Sequence, residues 1–126
     1  MIRDNEEILS EEQELAAGTS YSKVFKFGKG DAYVNPFACV SQGKTKFAVG
    51  AKLTASVETS EDEVFTTPKT LLSSGEVVAT ADGFADFILK ARLAIGNLEY
   101  LRFKFVTDGA GTVNAYLAPT VDMATV

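Results

Sequence analysis

The residues best suited to bind a ligand form an acidic stretch in the middle of the chain. It contains Glu58, Glu61, Asp62 and Glu63. A β-sandwich can hold Ca²⁺ on such loops, because the ion takes roughly six to eight oxygen ligands from carboxylates and carbonyls. The alternating ligand spacing of a dedicated calcium loop is absent here, and the pattern favours a solvated loop between two strands. We therefore predict no metal site.

Catalytic and cofactor sites have equally little support. Cys39 is the one cysteine, it stands inside the apolar run Phe37–Val40, and the chain has no histidine to activate it. A buried thiol is therefore favoured over a nucleophile. No spacing picks out a carboxylate pair for glycoside hydrolysis. The turns Gly28–Gly30 and Gly109–Gly111 precede no helical pattern, which a phosphate-binding loop requires. We predict that the protein is not an enzyme and uses no cofactor.

The charge of the chain is concentrated near its N-terminus. The 126 residues carry a net charge of −5. Residues 1–20 contain one arginine and six acids, whereas the remainder holds 11 residues of each sign. Nucleic-acid binding needs clustered positive charge to displace counterions, so we expect no nucleic-acid partner. No run reaches the roughly 18 apolar residues of a membrane span, and the acidic start is unlike a secretory signal. We expect a soluble protein with no membrane partner.

β-Strands must position these residues. In Leu98–Thr107, the apolar residues Leu101, Phe103 and Phe105 alternate with polar ones, and Thr112–Pro119 follows after a glycine-bearing loop. This period of two predicts a β-hairpin with one buried face. Further short runs between turn residues raise the total to about seven to nine strands, which predicts an all-β sandwich.

The acidic N-terminus is predicted to be an arm of residues 1–20, followed by one β-sandwich domain over residues 21–126. Ser10–Gln13 matches a capping box, and Gly18 would end a short helix over Glu11–Ala17. A helix this short is marginal in water. The arm is therefore either extended or briefly helical.

The side chains predicted to contact a partner lie on the last strands and on the arm. Tyr100, Arg102 and Lys104 occupy the face opposite the buried set, and tyrosine and arginine are frequent interface hot spots. The alternative is an ordinary solvent face. On the arm the candidates are Ile8, Leu9, Glu11 and Glu12. We expect the arm's acids to lie against the basic residues of a second copy.

Three segments carry a pattern of strand and turn residues in a characteristic order. They are Ile8–Gly28, Leu53–Leu71 and Leu98–Leu117. Together they span most of the chain and contain no catalytic signature. In this pattern the chain resembles the small jelly-roll capsid cement proteins, or decoration proteins, of tailed bacteriophages.

The resemblance implies a jelly-roll-like antiparallel β-sandwich with an acidic N-terminal arm, and a mechanical role. Such a protein would bind the outside of a phage capsid and bridge neighbouring major capsid subunits, which stabilises the expanded head. The resemblance also implies a homodimer, or alternatively a trimer, on the exterior of a virion assembled in the host bacterial cytoplasm. The main alternative is a carbohydrate- or receptor-binding β-sandwich of a virion or tail, whose mark would be a tyrosine-lined groove.

Overall fold

In a computed structural model of the chain, the described residues form nine strands in two antiparallel sheets and no helix. The described residues are 7–26, 37–80, 83–84, 87–92 and 100–118. In chain order the strands are β1 Glu7–Leu15, β2 Gly18–Tyr21, β3 Phe25–Lys26, β4 Phe37–Gln42, β5 Lys52–Ser60, β6 Lys69–Val78, β7 Leu89–Arg92, β8 Tyr100–Thr107 and β9 Gly111–Ala118. Residues 1–6 of the predicted arm and the turn Gly28–Gly30 lie outside the described residues. The predicted all-β sandwich is confirmed.

The strands pair as nested antiparallel ladders. Sheet A has the order β1-β9-β4-β7, and sheet B has the order β2-β8-β5-β6 with β3 also paired to β8. Along the chain, the pair β5–β6 comes at the centre. The pairs β4–β7, β2–β8 and β1–β9 enclose it in turn in the sequence. Successive pairs therefore alternate between sheet B and sheet A. The ladders β5–β8 and β4–β9 join these pairs within each sheet.

The core lies between the two sheets and consists of the inward residues of each strand. Sheet B contributes Leu53, Ala55, Val57, Leu101, Phe103 and Phe105, all at most 1% exposed. Sheet A contributes fully buried residues such as Val40 and Val113. Burial of a large apolar side chain contributes about 1.5–3 kcal/mol, so the alternation decides which face of each strand points inward. The inward set predicted for β8 is confirmed.

The hairpin predicted near the end of the chain is wrong. Residues 108–110 join β8 to β9, but β8 lies in sheet B and β9 in sheet A. The Asp108 carboxylate accepts a hydrogen bond from the Lys52 N–H at 2.7 Å, which ties this connection to the start of β5. A period of two identifies a strand with one buried face. It does not say which strand is the neighbour, so a connection between sheets looks like a hairpin in the sequence.

Residues 7–15 and 18–21 form strands, so the described part of the predicted arm is extended and the alternative of a short helix over Glu11–Ala17 is wrong. β1 pairs with β9 and β2 with β8, so the described part of the predicted arm belongs to both sheets. Leu9 and Leu15 are buried in the core. A helix of about seven residues has little stability of its own. The burial of two leucines in a sheet therefore outweighs the local capping signal.

A bulge lies within β6, where the pairing with β5 shifts between Thr54–Glu76 and Ser56–Ser73. The strand runs without a break from Lys69 to Val78. Gly75 has a φ of 69°, and the Ser74 hydroxyl accepts a hydrogen bond from the Ala55 N–H at 3.0 Å. Glycine in the left-handed region is typical of a bulge as well as of a turn.

Candidate interaction site

A charged cluster lies on the outer face of sheet B, where β5 and β8 run side by side. The register places Arg102 opposite Glu58. The Arg102 guanidinium donates to Glu58 Oε1 from Nε at 3.0 Å and from Nη2 at 2.9 Å. Lys104 Nζ lies 3.9 Å from Glu58 Oε2. The side chains of Arg102 and Glu58 are only 15% and 6% exposed, so this is a nearly buried ion pair outside the core.

Two aromatic rings enclose the Arg102 guanidinium. Its central carbon lies 3.8 Å from the centroid of the Tyr21 ring and 4.1 Å from that of the Phe65 ring. Such contacts contribute about 0.5–1 kcal/mol when exposed and about 2 kcal/mol when desolvated. Phe65 is buried and Tyr21 is exposed. Phe65 therefore shields the ion pair from water, while Tyr21 presents part of its ring at the surface.

The connection between β5 and β6 holds Phe65 in position. The Asp62 carboxylate accepts hydrogen bonds from the Ser60 hydroxyl at 2.7 Å, from the Thr66 N–H at 3.1 Å and from the Thr66 hydroxyl. The Phe65 N–H donates to the Asp62 carbonyl at 3.2 Å. Phe65 has a φ of 55°, which costs energy for a residue other than glycine. These contacts hold residues 61–66, named here the ridge, above the sheet.

The same contacts also change the pKa of the Asp62 carboxyl. They lower the pKa of its carboxyl, the Thr66 hydroxyl most and the Ser60 hydroxyl next, because each hydrogen bond favours the ionised form. The ridge is thus held by a carboxylate that stays charged under ordinary conditions.

A second carboxylate that holds separate segments of the chain together, that of Glu12, lies on sheet A. It accepts hydrogen bonds from the Lys44 N–H at 2.7 Å, the Thr112 hydroxyl at 3.1 Å and the Asn114 side-chain amide at 3.0 Å. These bonds lower the pKa of Glu12, with the Lys44 N–H as the largest cause. A Cβ at Gly43 would come closest to Thr112 Oγ1 and lie 2.5 Å from Glu12 Oε1, so a larger residue there would displace the side chains that make these hydrogen bonds. Glu12 thus ties β1 to β9 and to the chain after β4.

The residues predicted to contact a partner fall into two groups, one on β8 and one on β1. Tyr100, Arg102 and Lys104 do share the outer side of β8 and are half-buried. Arg102 is already paired with Glu58, so it does not offer an open cation to the arm of a second copy.

The arm residues have three different environments. Leu9 is a core residue, which corrects its predicted place on a contact surface. Ile8 and Glu12 are half-buried, and Glu12 is bound within the chain. Glu11 is exposed.

Sequence reasoning missed the role of three residues, Glu58, Tyr21 and Phe65. The sequence groups Glu58 with the solvated acids of the following loop, but it lies inside β5 and is buried. The signal was its position in the alternation, since Glu58 falls on the polar side of β5 as Arg102 does on β8. Only the pairing of β5 with β8 brings the two together, and no local pattern encodes that pairing.

Cys39 is fully buried, as predicted, and packs against Phe37, Phe87 and Tyr116 on sheet A. Among the described residues there is no group of three or more potential ligands placed to hold a metal ion. Within the same residues, no helix is long and apolar enough to cross a membrane. Comparison with known proteins finds neither a family model nor a curated protein that matches this chain.

Proposed function

We propose that this protein is a structural head protein of a tailed bacteriophage. It binds the outside of the capsid and bridges neighbouring major capsid subunits, which stabilises the expanded head. The observation that carries the proposal is the nested strand order, β1-β9-β4-β7 against β2-β8-β5-β6. With β2 and β3 counted as one interrupted strand along β8, this order of eight strands supports the proposed jelly-roll-like fold, which is frequent in viral capsid domains.

The carboxylates that are fixed in the fold are unsuited to act as general acids. A general acid needs a raised pKa so that it still holds its proton near neutral pH. The contacts of Glu12 and of Asp62 lower the pKa of each carboxyl instead. Each carboxylate instead accepts hydrogen bonds that hold a strand or a loop in one position.

A fold fastened in this way suits a mechanical bridge. Because the ridge and β1 are already held by internal hydrogen bonds, little ordering cost is added when the protein binds. Contact with two coat subunits at once raises the effective concentration of each contact, so modest contacts together give slow release. Such a bridge opposes the separation of the two subunits under internal pressure.

The carbohydrate-binding alternative requires tyrosines that line one groove. Tyr21 and Tyr100 belong to sheet B, whereas Tyr116 packs with Cys39 on sheet A. Tyr33 lies outside the described residues. The placement of these rings in different sheets favours the capsid proposal, and a glycan array with the isolated protein measures the alternative directly.

Co-sedimentation with phage shells tests the proposal. The purified protein is mixed with expanded and with unexpanded shells of the phage whose virion carries it. We expect saturable binding to the expanded shells at a fixed copy number, and a higher temperature of shell disruption. Unexpanded shells are the matched control, because their subunits are spaced differently. Expanded shells that stay bare at saturating protein would contradict the proposal.

A further inference from the structure

We infer that β6, an outer strand of sheet B, is a docking edge that accepts an extended, uncharged segment of the coat protein as an added strand. The inference rests on the proposed function for the identity of the protein that supplies the segment. Strand addition itself is measured in free solution with a synthetic peptide, without a capsid.

An open sheet has two outer strands, and the free side of each carries unpaired N–H and C=O groups. Such an edge is a template for pairing with another chain, and natural proteins block it with short strands, charged side chains and bulges. The outer strands of this fold are β1 and β7 in sheet A and β2 and β6 in sheet B.

Length and charge block three of these four edges. β7 has four residues, and two of them, Lys90 and Arg92, are charged. β2 has four residues, and β3, which pairs with the same side of β8, has two. β1 is longer, but four of its nine residues are glutamates. A partner strand on any of these edges would meet either few backbone groups or several charges.

β6 has neither of these protections. It is ten residues long, with six residues exposed and none buried. In the described part of the chain, its only strand neighbour is β5. Between Lys69 and Glu76, residues 70–75 carry no charge. The free side of β6 therefore presents the longest uncharged stretch of backbone among these outer strands.

The backbone of β6 is held in place before any partner binds. Leu71, Leu72 and Val77 pack against the core, and the strand pairs with β5 from one end to the other. In an antiparallel pair, alternate residues direct their N–H and C=O groups away from the paired neighbour. Because these groups are already fixed, little ordering cost is added on this side when a segment pairs with β6.

Two bulges in β6 limit what can pair with it. The register with β5 shifts twice, and Gly75, at the second shift, has a φ of 69°. A bulge bends its strand and disrupts the regular ladder, so a short segment of about five residues fits better than a long flat strand. Two β6 strands would set bulges against bulges, whereas a regular segment meets only one irregular strand. The bulges therefore favour a segment of a different protein.

The side chains of β6 define the chemistry of that segment. Directly opposite residues of an antiparallel pair have Cβ atoms about 4.5–5.5 Å apart, so the added side chains lie beside those of residues 70–75. Threonine, serine and leucine side chains there offer hydroxyl and methyl contacts and no charge. An uncharged segment rich in threonine and valine matches them, because both residue types favour strands.

Binding of a model segment to the free protein tests the inference first. The probe is an acetylated and amidated hexapeptide of alternating threonine and valine, and the readout is the amide NMR shifts of the chain. We expect saturable shifts in β6. Thr70→Lys should weaken the binding at least tenfold, because it places a charge at an exposed position on the edge.

Thr19→Lys is the matched control for that change. It makes the same substitution at an exposed position on β2, the opposite edge of sheet B, and should bind the peptide as the native chain does. Circular dichroism confirms that both variants are folded. Shifts in the native chain that do not saturate, or binding that Thr70→Lys leaves unchanged, would overturn the inference.

Hydrogen exchange in the shell-bound protein tests whether the coat protein supplies the segment. We expect exchange at β6 amides to slow at least tenfold on expanded shells, with exchange at β2 amides unchanged. A protein that saturates shells while its β6 amides exchange as in free solution would overturn the inference and leave the proposed function standing. Peptide binding at β6 together with bare shells would contradict the proposed function and leave strand addition standing.

A second copy of the chain is the competing occupant of the edge, and sedimentation measures it. We expect Thr70→Lys to have the same oligomeric state as the native chain. A native dimer that Thr70→Lys dissociates and Thr19→Lys does not would assign the edge to another copy and overturn the inference.

Discussion

Glu12 and Glu58 are both carboxylates on the outer side of a sheet, and they are held in different ways. Neutral donors surround Glu12: a backbone N–H, a hydroxyl and a side-chain amide. Glu58 is held by Arg102 and Lys104, and the guanidinium of Arg102 also contacts two aromatic rings. The same chemical group is therefore stabilised by directed hydrogen bonds in sheet A and by cations in sheet B.

The two carboxylates therefore stabilise different parts of the fold. The donors of Glu12 come from the chain after β4 and from β9, so this contact closes the fold upon itself. The cations that hold Glu58 lie along β8, and the rings of Tyr21 and Phe65 pack against one of them, Arg102, so that contact builds an outer layer on sheet B. Glu12 thus connects segments around sheet A, whereas Glu58 anchors a layer of charged and aromatic side chains on the outside of sheet B.

The largest expected effect comes from removing the cation of sheet B. Arg102→Ala leaves Glu58 nearly buried without its main partner and removes both ring contacts. Breaking a buried ion pair in this way costs about 3–5 kcal/mol, measured as the free energy of unfolding in urea.

Arg92→Ala is the matched control for that change. Arg92 is exposed on sheet A, with its guanidinium carbon 4.5 Å from the centroid of the Phe37 ring. We expect a loss of about 0.5–1 kcal/mol. Equal losses from the two arginine variants would remove the distinction between the faces.

The next largest effect tests whether β1 is part of the sandwich. Leu9→Ala removes a buried side chain that packs in the core, and such a change typically costs about 2–5 kcal/mol. Ile8→Ala, at a half-buried neighbour, should cost clearly less in the same urea titration. If both variants unfold like the native chain, residues 7–15 are a detachable arm and not a strand of sheet A.

Glu12 is expected to make stability depend on pH. Its pKa in the fold is below the ordinary value of 4.5. The stability it contributes is therefore fully present above that value and is lost as the pH falls through the lower, folded-state pKa. Glu12→Gln should be less stable than the native chain at neutral pH, and the difference should shrink on acidification.

Asp62 has a lowered pKa as well, so it serves as the control for the pH series. Asp62→Asn should keep the part of the acid sensitivity that belongs to Glu12. A constant gap between Glu12→Gln and the native chain across the acid range would contradict the assignment.

The smallest effect is local to the ridge. Asp62→Asn weakens the hydrogen bonds that its carboxylate accepts from Thr66 and Ser60. We expect faster amide hydrogen exchange at Thr66, with little change at the core amides of Phe103 and Phe105. Unchanged exchange at Thr66 would mean that the ring of Phe65, and not Asp62, fixes the ridge.

Much of the fold was readable from the sequence because burial follows alternation. The inward residues of β8 and the buried Cys39 are confirmed. Neighbouring strands were not readable. The crossing from β8 to β9 between sheets and the pairing of Glu58 with Arg102 depend on contacts between residues far apart in the chain, for which local patterns carry no signal.

The interaction site was predicted only in part for the same reason. Alternation placed Tyr100, Arg102 and Lys104 on one outer side, and that placement is confirmed. The side chains that contact Arg102 and partly bury it come from β2, β5 and the ridge. Without the sheet order, a guanidinium enclosed by two rings and a carboxylate looks like a solvated arginine.

Electron cryo-microscopy of the expanded shell with bound protein tests the central claim most directly. We predict density for a small β-sandwich astride adjoining coat subunits, at fixed symmetry positions. Shells that remain bare at saturating protein would contradict the proposed role in the head.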